Sequence, residues 1–182
     1  MRSFKPAIRG FRQPGGAVSF DHMAVVRILV DGFSLLHRWP ELAPGRPRHS
    51  AAARDELVAA LIQYADTGGI PVTVIFDGGG APPGTPRSEN VRGVEVMYSR
   101  RGQTADDIIE RVTHRLKPYG EVLVVTDDSK ERETVLSFGG MATSCRNFIA
   151  EFEAAQRSLA EDVHRQNLRE RNRYRQAATR EF

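Results

Sequence analysis

Apolar residues along this chain alternate between two rhythms. Continuous runs at Val25-Val26-Arg27-Ile28-Leu29-Val30, Val72-Thr73-Val74-Ile75-Phe76 and Val122-Leu123-Val124-Val125 read as strands buried on both faces. Val94-Glu95-Val96-Met97-Tyr98 alternates and predicts a third, half-buried strand ahead of the last of these, and Met141 to Ser144 a final short one. Between them the spacing shifts to three and four. Gly32 to Trp39 predicts a turn and a short helix. Leu57, Leu61, Ile62 and Tyr64 mark a helix that Ser50 can cap and Gly68-Gly69 ends. Ile108, Ile109, Val112 and Leu116 mark another, capped by Thr104 and stopped at Pro118-Tyr119-Gly120, and Ser129 to Phe138 a shorter one. Phe148, Phe152, Ala155, Leu159 and Val163 line a last helix whose stripe fades after Leu168, so its final turn or two should project. Strands alternating with helices predict an α/β fold of three layers, α/β/α, around a mainly parallel sheet.

The 182 residues suit one domain with tails. Residues 1–22, with Pro6, Gly10, Pro14, Gly15 and Gly16 and no periodicity, read as a disordered basic extension; residues 23–163 as the domain; residues 164–182 as a basic helical arm. Translation could equally begin at Met1 or at Met23. No apolar run approaches the ~20 residues that span a bilayer. Cys145 is the sole cysteine, which excludes an internal disulfide and a thiolate zinc cluster and favours a reducing, cytoplasmic setting. The formal charge of +3 is modest, but its distribution is not even. Arg165, Arg169, Arg171, Arg173, Arg175 and Arg180 face only Glu170 and Glu181 near the end, and Arg2, Lys5, Arg9 and Arg12 face no acid in the first twenty residues. Cationic ends suit a polyanionic partner.

The chemistry lies in the acids. Asp31, Asp77 and the pair Asp127-Asp128 each close a predicted strand, and Asp106-Asp107 opens a helix. In open α/β sheets ligands bind in the crevice beyond the carboxyl ends of the strands. Acids gathered there repel one another unless cations compensate, and oxygen-only ligation suits Mg²⁺ or Mn²⁺. Asp31 precedes Gly32, which lets backbone approach a ligand, and Ser34 adds a hydroxyl. Adjacent residues on a helix point about 100° apart, so one of Asp106 and Asp107 can face the site directly while the other acts through water or a neighbouring ion; Asp106 is favoured. One of Asp127 and Asp128 can cap the following helix, and Asp128 is favoured for the metal. Asp77 also fits ordinary Asp-Gly turn chemistry, Glu110 can pair with Arg111 or His114, and the histidines show no zinc spacing.

Val30-Asp31-Gly32-Phe33-Ser34-Leu35-Leu36, Ile75-Phe76-Asp77-Gly78, Thr104-Ala105-Asp106-Asp107-Ile108-Ile109-Glu110 and Val125-Thr126-Asp127-Asp128 together resemble the YacP-like NYN domains of the PIN-like nuclease superfamily, over roughly residues 25–165. The resemblance implies a PIN-like fold and a Mg²⁺- or Mn²⁺-dependent endoribonuclease, in some relatives acting on translating ribosomes. It implies Asp31, Asp106, Asp107 and Asp128 as catalytic metal ligands. Ser34 stands where the family usually has asparagine. One or two ions, about 3.5–4 Å apart in two-ion sites, would activate water and offset charge at the scissile phosphate, giving 5′-phosphate and 3′-hydroxyl products. Arg87, Arg92, Arg100 and Arg101 flank the acids in sequence and can grip phosphates, and Arg165, Arg169 and Arg173 share one side of the arm. The preference for RNA comes from the resemblance alone. A rival reading is an RNA- or ribosome-binding module with a vestigial metal site. A haloacid-dehalogenase-type phosphohydrolase is disfavoured because Phe33 stands where its second aspartate belongs.

Overall fold

The computed structural model describes residues 25–78, 87–100 and 102–178. The expected extension over 1–22, the Met23 start and Arg101 lie outside these residues, as does the side chain of Arg175. Six strands form one sheet: β1 (Val25–Asp31), β2 (Val72–Phe76), β3 (Ser88–Val91), β4 (Val94–Tyr98), β5 (Glu121–Val125) and β6 (Met141–Thr143). Their order is β3-β4-β2-β1-β5-β6, and only β3 runs antiparallel to its neighbour. The helices are α1 (Gly32–Arg38), α2 (Ala51–Gly68), α3 (Ala105–Leu116), α4 (Ser129–Ser137) and α5 (Cys145–Ala178), with a 3₁₀ turn at Lys117–Tyr119.

Strand alternation divides the core. Ile28, Val30, Val74, Phe76 and Val96 face α1, α2 and the start of α5, packing on Leu35, Leu57, Leu61, Phe148 and Phe152. Leu29, Ile75, Val122 and Val124 face the opposite layer, packing on Ile108 and Ile109 of α3 and Val135 of α4. The chain passes outward from β1 to β2 and β4, then returns to place β5 on the other side of β1. The sheet therefore reverses its winding between β1 and β5, where the carboxyl ends leave an open crevice.

Predicted and observed elements coincide apart from three differences. The polar Ser88–Val91 segment, too hydrophilic to register as a strand, is an exposed antiparallel edge held by β4. Gly32 serves the core as well: a Cβ there would overlap the Phe76 ring, so the missing side chain lets β1 turn directly into α1. Finally, α5 is one 34-residue helix whose contact with the body ends sooner than its stripe implies. Among the described side chains Phe152 is its last buried residue, and Leu159, Val163 and Leu168 are exposed.

Candidate metal centre

Three acids converge at the crevice. Single carboxylate oxygens of Asp31, Asp106 and Glu131 all lie within 4.8 Å of one another. Each arrives from a different element. Asp31 ends β1 and N-caps α1, its Oδ1 accepting from the backbone N–H groups of Phe33 at 3.1 Å and Ser34 at 3.2 Å, which fixes the carboxylate. Burial raises its pKa and the nearby Asp77 adds to this, against the lowering effect of the Ser34 hydroxyl and the two N–H groups. Asp106 sits in the first turn of α3. Its pKa is raised by desolvation first and then by Asp31, Asp128, Asp77 and Asp107. Glu131, in the first turn of α4, is 5% exposed. Its pKa is pushed up to about 8, chiefly by burial and further by Asp106, Asp31 and Asp128. The Thr126 hydroxyl lies near enough to oppose that shift, yet neither Glu131 oxygen has a hydrogen-bond partner of normal geometry among the described residues.

The neighbouring acids hold this arrangement together. Asp77 Oδ1 accepts from Ala105 N at 2.8 Å and from the Ser99 hydroxyl at 3.3 Å, tying the end of β2 to the start of α3. Asp107 closes a capping box with Thr104, its Oδ2 accepting from Thr104 N at 2.9 Å. Asp128 N-caps α4, its Oδ1 accepting from Lys130 N at 2.7 Å and Glu131 N at 3.2 Å. Asp127 accepts from Cys145 N at 3.0 Å and pairs with Arg38 at 2.7 Å, joining α5 and α1. Cys145 itself is buried, its thiol pushed up to about 12, and fills core space.

Of the four acids expected as ligands, the structure thus brings Asp31 and Asp106 together. Asp107 and Asp128, like Asp31, each commit one oxygen to a helix cap, and Asp128 lies near enough to raise the pKa of both Asp106 and Glu131. Glu131, which sequence reasoning did not select, joins Asp31 and Asp106. Only the packing of α4 reveals it. Glu131 and Val135 are the buried residues of α4 and lie four apart, so a glutamate occupies that helix's only apolar face. The N3 position normally returns its side chain to the N-cap N–H, but Asp128 N donates to Thr126 Oγ1 at 3.1 Å instead, leaving Glu131 to turn inward.

Among the expected phosphate contacts, Ser34 lies against Asp31, and Arg87 and Arg100 flank the carboxyl end of β4. Arg92 does not approach: it sits in the β3–β4 turn at the amino-terminal edge of the sheet and pairs with Asp66 at 3.8 Å. Arg165, Arg169 and Arg173 are exposed on the projecting part of α5, Arg165 against Asp162.

A divalent cation fits these residues. Two unpartnered buried oxygens on Glu131, facing two further carboxylates, form a hard, oxygen-only donor set that lacks a counter-charge among the described side chains. No described histidine joins them, which argues against zinc.

Such a sheet, with acids gathered at the carboxyl ends beside the reversal point, defines a PIN-like α/β domain of nuclease type. The chain belongs to the YacP-like NYN domain family, matching it over residues 28–181. It is 27% identical over 139 residues to the uncharacterized protein YacP of Bacillus subtilis (strain 168), a match covering 76% of this chain and 81% of that one. The crystal structure of Rae1 (YacP) from Bacillus subtilis superposes with a TM-score of 0.66 at 28% identity, covering 79% of this chain and 81% of that one. A point mutant of the same protein gives 0.62 at 27% identity, covering 76% and 81%.

Proposed function

We propose that this protein is a Mg²⁺- or Mn²⁺-dependent endoribonuclease whose ion is held by Asp31, Asp106 and Glu131. One observation carries the reading: Glu131 is buried with both oxygens unpartnered, facing Asp31 and Asp106. A chain gains nothing in stability from such an arrangement, so it points to a cation as its missing partner. The bound ion would neutralise the scissile phosphate and acidify the attacking water.

The chain's own residues prepare that event. Two backbone N–H groups hold Asp31 in one rotamer, and the Asp77 bonds to Ala105 and Ser99 fix where α3 begins and hence where Asp106 stands. The Ser34 hydroxyl, beside Asp31, can orient a phosphate oxygen or the attacking water. Asp107 and Asp128, each with one oxygen committed to a cap, keep a second oxygen through which they can accept from water in the crevice. Without an ion, Glu131 retains its proton at neutral pH. The test is cleavage of labelled single-stranded RNA by chelator-treated protein with Mg²⁺ or Mn²⁺ restored. Ion-dependent cleavage that is lost in Asp31→Asn supports the reading; equal turnover by Asp31→Asn overturns it.

The projecting end of α5 favours a second role alongside the first. Arginines held clear of the body suit attachment to a large polyanion such as the ribosome, with the crevice presented to its RNA.

A further inference from the structure

On the flank of α3 away from Asp106, the helix and the outer strands leave a groove of about 560 Å³. Its walls are unlike the crevice. Arg87 and Arg100 stand on one side, near the carboxyl end of β4, and Arg111 and Arg115 rise from α3 on the other. No carboxylate lines it, and none of the four arginines has an ion-pair or hydrogen-bond partner among the described side chains. Met97, Ile108 and Val112 give the floor an apolar character. We propose that this groove is the track along which the backbone of a single RNA strand runs to or from the metal centre, with Arg111 and Arg115 as phosphate-binding residues. The inference rests on the nuclease reading and adds the form of the substrate and its path.

The argument is geometric. Arg111 and Arg115 are four residues apart and share one side of α3. Asp106 opens the same helix but lies about 140° around its axis from Arg111 and about 180° from Arg115. A strand leaving the metal centre therefore crosses the amino-terminal end of α3, where Gln103 lines the groove, before meeting a row of cations that reaches about 14 Å along the axis at 1.5 Å per residue. A small anion would want its cations focused on one point; a row of guanidiniums matches a row of phosphates. Four like charges facing one another without counter-ions repel, and a polyanion relieves that repulsion. Base readout is not built in. Tyr98, the groove's aromatic residue, already stacks on Phe76 with ring centroids 5.8 Å apart, so binding should tolerate many sequences.

The experiment uses the full chain with fluorescein-labelled oligouridylate, its binding followed by anisotropy in EDTA across a salt titration. EDTA prevents cleavage and so separates binding from chemistry. Arg111→Gln with Arg115→Gln should weaken binding several-fold and reduce the slope of log affinity against log salt by about 1.4, at about 0.7 per lost single-strand phosphate contact. Lysine at both positions should restore most of the slope. Replacing Arg87 and Arg100 by glutamine, on the opposite wall, should produce a comparable loss, and a duplex of equal length should bind more weakly than the single strand. An unchanged slope and affinity in the Arg111/Arg115 variant, with the thermal melt preserved, overturns the track. Equal affinity for duplex overturns its restriction to single strands. If wild-type protein binds oligouridylate in this manner but cleaves nothing with Mn²⁺, the nuclease reading fails and the groove stands; if the glutamine variant binds and cleaves like wild type, the reverse holds.

Discussion

Helices α3 and α4 begin alike and end up playing different parts in one site. Each opens on a pair of adjacent aspartates, and in each one acid of the opening turn satisfies backbone N–H groups: Asp107 through its capping box, Asp128 as N-cap. On α3 the free acid is the neighbouring Asp106, in the exposed first turn, where solvent and the helix dipole moderate its charge. On α4 it is Glu131, also in the first turn but buried, on the same side as Val135 and near Thr126. The contrast shows which acid of each opening turn is left without a backbone partner. Depth then decides how strongly it demands a counter-charge.

Breaking the set outright should give the largest effect. Asp31→Asn keeps a carbonyl oxygen for the Phe33 and Ser34 N–H groups, so α1 should remain capped while ion binding fails. Cleavage should fall by more than the roughly 100-fold typical of losing a residue that merely supports a metal site, and circular dichroism should show an intact fold. Glu131→Gln should cost a similar amount of activity, yet raise the melting temperature of ion-free protein, most of all above about pH 8, where the wild-type side chain is a buried charge.

The pH dependence sharpens this. Glu131 has a folded pKa of about 8 against an ordinary 4.5, so folding takes up a proton between those values. Its contribution favours folding below the unfolded pKa and is lost as pH rises through the folded one. Ion-free wild type should therefore melt at progressively lower temperature from about pH 5 to above pH 8, and Glu131→Gln should flatten that decline. Mn²⁺ should stabilise wild type more at the alkaline end, where it no longer competes with the proton. A melting temperature indifferent to pH in both proteins would mean that Glu131 is solvated.

Capping acids should behave in the opposite sense. Asp128→Ala and Asp107→Ala should each destabilise by about 1 kcal/mol, as lost caps do, and reduce cleavage less than Asp31→Asn. Should Asp128→Ala instead abolish activity without a change in melting, Asp128 and not Glu131 would be the ligand from α4. Ser34→Asn should maintain or increase turnover, since an amide can hydrogen-bond where the hydroxyl does. The smallest structural effect should come from replacing Arg165, Arg169 and Arg173 with glutamine. Exposed positions are usually worth within ~0.5 kcal/mol, so the melt should barely move, while affinity for RNA should fall and its salt dependence flatten.

Five of the six strands, the caps at Ser50 and Thr104, and the aspartates at the sheet's carboxyl edge were legible in the sequence, because they follow from local periodicity and capping chemistry. Glu131 was not, since a glutamate in a first helical turn is ordinary until tertiary packing shows which face is inside. Strand β3 escaped because Ser88-Glu89-Asn90-Val91 owes its conformation to pairing with β4 and almost nothing to its own composition. Arg111 and Arg115 escaped for a related reason: on one helix they are solvated surface, and only the opposite wall makes them part of a groove.

The long α5 brings a consequence for cooperativity. Beyond Gln156, whose amide still donates to Gln63 at 3.4 Å, the described side chains of α5 have no core beneath them, and an unsupported segment of that kind is marginal in water. The molecule thus joins two regimes of stability along one continuous backbone: a base that opens only with the whole domain, and an outer stretch that frays and reforms on the sub-microsecond scale of isolated helices. Any surface that docks the outer stretch would stiffen it progressively from the base outward, converting binding free energy into helical order.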